Sequence, residues 1–196
     1  IRQMSGGTSF NEVFFTDVRV PDAYRVGDVG EGWKVALTVL GFERGSSNGS
    51  SRVGGNWAQA KGLAQHLGVT SDPVVRDDLA RLYSQYRIMA LNNQRVAAQT
   101  KAGQAPGPEG SISKMIWVKS MNLMSDVITK ILGPRITADT REWGTYDWNE
   151  HLLGAPGYRI AGGSDEIQRN IVGERVLGLP GEPRTDKSVP FKDIPK

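Results

Sequence analysis

The apolar positions of this chain change their period along its length. Glu12-Val13-Phe14-Phe15-Thr16-Asp17-Val18-Arg19-Val20-Pro21 is rich in β-branched and aromatic residues, alternates with a period near two and ends on a proline, which predicts a strand. A lone strand leaves its ladder groups unpaired. Its neighbours are expected either in residues 1–10, as a hairpin, or in sequence ahead of this chain. The second arrangement is the expectation, because the chain opens on Ile1 rather than a methionine, as the C-terminal part of a longer protein would.

From Gly32 the spacing becomes helical, with Trp33, Ala36, Leu37, Leu40, Arg44 and Ser47 three to four residues apart. The run 45–55 is dominated by Gly, Ser and Asn. It reads either as a loop, which helix propensity favours slightly, or as a helix whose small side chains let a large group come close. Trp57, Ala60, Leu63, Ala64 and Leu67 resume the helical period up to Gly68. Asp72-Pro73 is a cap followed by a first-turn proline, the start of a helix of about eight turns carrying Val75, Leu79, Leu82, Tyr86 and Met89 and ending near Gly103. Pro106-Gly107-Pro108 predicts a turn. A further helix is expected from about Ser111 to Leu132, with Ile112, Ile116, Leu123, Val127 and Ile131 on one stripe and Gly133-Pro134 as its stop. Residues 135–163 are aromatic-rich and irregular. A last helix starts at Ser164 and carries Ile167, Ile171 and Val176 before Gly178-Leu179-Pro180. The expected fold is mainly α, an up-and-down four-helix bundle preceded by a strand belonging to a β-domain. Residues 1–24 are assigned to the end of that β-domain, 25–181 to the bundle, and 182–196 to an extended tail.

Composition narrows the chemistry. The 196 residues include no Cys and two His, which removes disulfides, a thiolate nucleophile and a Cys-ligated metal, and no metal site is expected. The 24 Lys+Arg exceed the 21 Asp+Glu by three, but the two signs are interleaved, so no nucleic-acid partner is expected. No run reaches the ~18–20 apolar residues of a membrane span, no leader peptide is evident, and a soluble, cytoplasmic location is expected.

Candidate chemistry concentrates at Gly162-Gly163-Ser164-Asp165-Glu166. Two glycines let a backbone turn closely around a ligand, Ser164 caps the following helix, and first-turn amides favour an anion such as phosphate. An ordinary glycine loop into a capped helix explains the same residues. His151, taken alone, reads as a surface or loop histidine.

Residues 162–180, Gly162-Gly163-Ser164-Asp165-Glu166-Ile167-Gln168-Arg169-Asn170-Ile171-Val172-Gly173-Glu174-Arg175-Val176-Leu177-Gly178-Leu179-Pro180, closely resemble the C-terminal signature of acyl-CoA dehydrogenases. Residues 11–21 resemble the last strand of that family's middle β-domain. Gly30-Glu31-Gly32-Trp33 and Phe42-Glu43-Arg44 resemble its first C-terminal helix. The resemblance implies FAD as cofactor, an acyl-CoA thioester as substrate, removal of the α-proton by a carboxylate with hydride leaving the β-carbon for the flavin, and an electron-accepting flavoprotein as partner. It implies contacts to the adenosine half of FAD from Ser164 and Glu166, with Gly162 and Gly163 permitting the approach. His151-Leu152-Leu153-Gly154-Ala155-Pro156-Gly157 resembles a variant of the family's pyrophosphate loop, with His151 in place of Gln.

Two departures from the family pattern matter. The family's commoner catalytic Glu corresponds here to Gly162, so the resemblance moves the base to Glu43, which precedes Arg44 as in a minority arrangement; an ion-pairing Glu43 is the alternative. The family's Arg-x-x-Phe-Gly is replaced by the stretch around Lys61-Gly62-Leu63. These two changes resemble actinobacterial members built as tetramers of unlike subunits, so the tetramer is homo- or heteromeric and a non-catalytic partner subunit is the second reading. A plain helical interaction module is the third. The small residues 45–55 either make room for a bulky acyl group or pack against another helix.

Overall fold

The computed structural model describes residues 1–45, 55–104, 107–138, 140–142, 145–183, 189 and 191–194, with backbone alone at 43–45, 145–147 and 191. Six α-helices lie among them: α1 (Gly32–Gly45), α2 (Trp57–His66), α3 (Pro73–Lys101), α4 (Gly110–Leu132), α5 (Thr145–Gly154) and α6 (Asp165–Ile171).

Local chemistry sets most boundaries. Asn56 accepts from the Gln59 amide at 3.1 Å while Gln59 Oε1 accepts from the Asn56 amide at 2.7 Å, a reciprocal cap that opens α2. The Asp72 carboxylate accepts from the amides of Val74 and Val75, and Pro73 fills the first position of α3. Gly133, at φ +56°, ends α4.

The helices α3 and α4 form a long antiparallel pair. Asn92 Nδ2 donates to Ser113 Oγ near their joined ends, and Lys130 pairs with Asp78 toward the other. Helix α2 lies against both. Ala60, Leu63, Ala64, Val75, Leu79, Leu82, Met124, Val127, Ile128, Ile131, Leu132 and Trp148 make one core cluster. Full burial of a side chain such as Leu82 contributes about 1.5–3 kcal/mol relative to exposure.

Several expectations change. The stripe foreseen on α4 is one side of a wider buried surface: Ser111, Val118, Ser120, Met121 and Met124 are buried as well, because α2, α3, α5 and α6 all pack on this helix. Residues 145–154, expected to be irregular, form α5. Its inward positions are Trp148 and His151, followed by Ala155, and a histidine in the stripe hides the helical period. The last helix is α6 continued by a π-turn, Val172–Val176, whose wider winding shows as the Leu177 amide donating to the Val172 carbonyl. On α6 the buried residues are Asp165 and Gln168, while Ile167 is 52% exposed. Of the apolar stripe foreseen there, Ile167 is outward while Ile171 and Val176 are half-buried.

No strand occurs among the described residues. Residues 12–21 meet no partner strand among the described residues, and Val13, Phe14, Phe15, Val18 and Val20 are exposed. Unpaired ladder groups give an isolated segment of this kind no reason to become a strand. Helix α1 meets α4 yet leaves Trp33, Leu37, Leu40 and Phe42 exposed. The bundle therefore consists of α2–α6 around α4, with α1 at its edge. The glycine- and serine-rich stretch foreseen at 45–55 lies, from 46 to 54, outside the described residues, as do Pro106 and most of the tail. Among the described residues no helix is long and apolar enough to cross a membrane, and no cluster of His, Asp and Glu could hold a metal.

Candidate functional site

The di-glycine junction sits where the Ala155–Arg159 3-10 turn leads into α6. Gly162 has φ +67° and Gly163 φ +96°, conformations that L side chains adopt only under strain. A Cβ at Gly162 would meet nothing within 4 Å, whereas one at Gly163 would lie 2.5 Å from Gln168 Nε2. The junction is thus open on one side and tightly backed on the other.

The backing is polar and specific. Gln168, 1% exposed, donates from Nε2 to the Gly162 carbonyl at 2.9 Å and to the Gly163 carbonyl at 3.5 Å. Lys114, one turn into α4, donates from Nζ to the Gly163 carbonyl at 2.8 Å and to Asp165 Oδ1 and the Arg159 carbonyl at 3.4 Å. Arg159 Nε donates to Asp165 Oδ2 at 2.8 Å. The hydrogen bond from Arg159, helped by Lys114, holds the Asp165 carboxyl below the ordinary carboxylate range, and Asp165 in turn raises Arg159. Both glycine carbonyls are therefore occupied from within the bundle.

On the open side, the Ser164 Oγ accepts from the Ile167 amide at 3.4 Å and caps α6. Glu166 is exposed; its own backbone amide, then the Ser164 hydroxyl, keep its carboxyl below the usual range. Gly162, Gly163, Ser164 and Glu166 come together, as their adjacency requires.

His151 lies elsewhere in kind. It is fully buried on α5, edge-on to Trp148 at 5.7 Å. Its Nε2 is 3.1 Å from the Met121 carbonyl, and Nδ1 has no partner among the described residues. A carbonyl only accepts, so Nε2 carries the proton. Burial lowers the pKa, with the Met121 bond opposing, and the ring offers no surface to a ligand. Glu43 and Arg44 fall on the last turn of α1, and their side chains lie outside the described residues.

Sequence reasoning passed over Lys114, Arg159 and Gln168. The signal for Lys114 was present: it stands three residues after Ser111 and four before Val118, both buried, so a lysine occupies the inward stripe of a core helix. Such a position demands partners.

An α-helical bundle with a polar-backed di-glycine junction at one helix start is the class that fold and site define. The sequence model of a known family, described as acyl-CoA dehydrogenase, C-terminal domain, matches residues 30–177, and the chain belongs to the acyl-CoA dehydrogenase family. Acyl-CoA dehydrogenase IpdE1 of Mycolicibacterium smegmatis is 35% identical over 187 residues, covering 93% of this chain and 45% of that protein. Acyl-CoA dehydrogenase FadE34 of Mycobacterium tuberculosis is 32% identical over 182 residues, covering 92% of this chain and 24% of that one. The Tcur3481-Tcur3483 steroid ACAD superposes with a TM-score of 0.74 at 24% identity, over 93% of this chain and 48% of that one. The ChsE4-ChsE5 complex from Mycobacterium tuberculosis gives 0.66 at 22% identity, over 86% and 46%. These two likenesses concern the fold. The chain spans about half the length of the IpdE1 relatives it matches.

Proposed function

We propose that this chain is the C-terminal portion of an acyl-CoA dehydrogenase subunit that carries out FAD-dependent α,β-dehydrogenation of a CoA thioester. The observation that carries the reading is the di-glycine junction. Its open side at Gly162 and its capping hydroxyl fit the close approach of a polar, flat group. Gly162, Gly163, Ser164 and Glu166 would hold the adenosine half of FAD there. His151, which the resemblance places toward the pyrophosphate, has its ring enclosed in the bundle.

When bound, FAD supplies the hydride acceptor for the β-hydrogen. Glu43 takes the α-proton as general base, and Arg44 is its orienting neighbour. Burial against a partner surface would raise such a carboxyl toward neutrality and so suit it to the task. Helix α1 supports this placement: it carries Glu43 at its end and leaves Trp33, Leu37 and Leu40 uncovered, a surface made for another protein layer. Residues 1–24 then complete a β-domain contributed by preceding sequence, 25–181 form the helical domain, and 182–196 a tail. The assembly is a homo- or heterotetramer, and electrons leave to an external flavoprotein.

A second reading has one observation in its favour. Gly162 stands, without a side chain, at the position resembling the family's commoner catalytic Glu. A non-catalytic subunit that completes a partner's FAD site would look the same. Glu43→Gln in the assembled enzyme separates the two. Loss of a general base lowers the dehydrogenation rate by about 10²–10⁴-fold. A rate within about threefold of the unaltered enzyme removes Glu43 as base and favours the partner-subunit reading.

A further inference from the structure

We propose that Lys114 is a positioning residue for the cofactor-facing junction: from the buried face of α4 its ammonium group locks the Gly163 carbonyl and the Asp165 carboxylate, and so presets the Gly162–Gly163 backbone before the cofactor arrives. The inference rests on the FAD reading of residues 162–166.

The argument is one of geometry and burial. Left-handed glycines have many accessible conformations, and fixing each costs backbone entropy. A junction that ordered only on contact with its ligand would subtract that cost from affinity. Here the ordering is supplied from beneath. The Lys114 side chain is 15% exposed and the Asp165 side chain 12%, so the pair is shielded from solvent and its loss is not made good by water. Three acceptors converge on one ammonium group: two backbone carbonyls, of Arg159 and Gly163, and one carboxylate oxygen. Those partners are 45 to 51 residues away in sequence, on a junction that Gln168 holds at only one other carbonyl at normal distance, that of Gly162. Arg159 occupies the second oxygen of Asp165, which directs the first toward Lys114.

The test uses the full-length protein with its partners, in three forms: unaltered, Lys114→Met and Lys114→Arg. Methionine keeps the apolar stem and removes the charge. Amide hydrogen exchange of residues 160–167 in the flavin-free protein is expected to speed up by about tenfold or more in Lys114→Met, and the FAD dissociation constant, read from flavin fluorescence, to rise by about tenfold. The KM for acyl-CoA stays within about twofold. Lys114→Arg, which keeps donors of the same charge, restores most of both effects. Unchanged exchange and unchanged FAD affinity in Lys114→Met overturn the proposal, as does a KM that rises in step with the FAD constant. Should Lys114→Met fail to fold, Asp165→Asn gives the same comparison. If exchange responds but adding FAD never protects residues 160–167 in the unaltered protein, the clamp stands and the FAD reading of the junction fails.

Discussion

His151 Nε2 meets the main-chain oxygen of Met121 inside the bundle, 3.1 Å away and thirty residues earlier. This pairing joins α5 to the middle of α4 with a neutral imidazole, whose pKa burial has lowered. In the unfolded chain the same ring titrates near 6.5. Above that pH both states are neutral and the group leaves stability unchanged. As pH falls below it, the unfolded state gains a proton that the buried ring resists, so stability declines. Thermal unfolding of the protein between pH 7.5 and 5 should show a falling midpoint, and His151→Gln should flatten that fall. An equally steep fall in His151→Gln would place the acid sensitivity elsewhere.

Asp165 titrates in a separate window. Arg159 chiefly, and Lys114, hold its folded pKa below its ordinary value of 3.8. Its contribution is therefore complete above about pH 4 and is lost as pH falls through the lower folded value. Exchange rates of residues 160–167 should stay level from pH 7 to 4, after correction for intrinsic chemistry, and accelerate below that. In Asp165→Asn the acceleration is already present at pH 7.

The two glycines of the junction differ in what a methyl group meets. Gly162→Ala places an L residue at φ +67° with open space around its Cβ, at a cost of about 1–2 kcal/mol from the left-handed backbone alone. Gly163→Ala adds a Cβ 2.5 Å from Gln168 Nε2. Gln168 must then move and release the Gly162 carbonyl, a further ~1 kcal/mol. Chemical denaturation should rank Gly163→Ala below Gly162→Ala in stability; the reverse order would mean that Gln168 does not back the junction.

Leu82 of α3 is fully buried in the core cluster, whereas Ile88, on the same helix, is 47% exposed. Leu82→Ala should lower the unfolding free energy by about 2–5 kcal/mol. Ile88→Ala should stay within about ±0.5 kcal/mol in the isolated chain. A larger loss at Ile88 in the assembled enzyme alone would mark that face as covered by a neighbour.

Sequence by itself determined the helical frame. Asp72-Pro73, Gly68 and Gly133-Pro134 mark the bounds of α2, α3 and α4 because a cap or stop is satisfied by amides and carbonyls within a few residues. The stripe Val75, Leu79, Leu82 points inward as its period demands. The signature at 162–180 was legible for the same reason, being contiguous. Tertiary structure alone decided that α6 buries Asp165 and Gln168 while Ile167 faces out, that His151 belongs to the core, and that Lys114 reaches the junction across 49 residues to Gly163. Residues 12–21, patterned as a strand, meet no partner strand among the described residues. In each case the outcome depends on a partner that the chain brings from far away: a buried polar atom is tolerated only where a distant donor or acceptor meets it, and a strand exists only beside another.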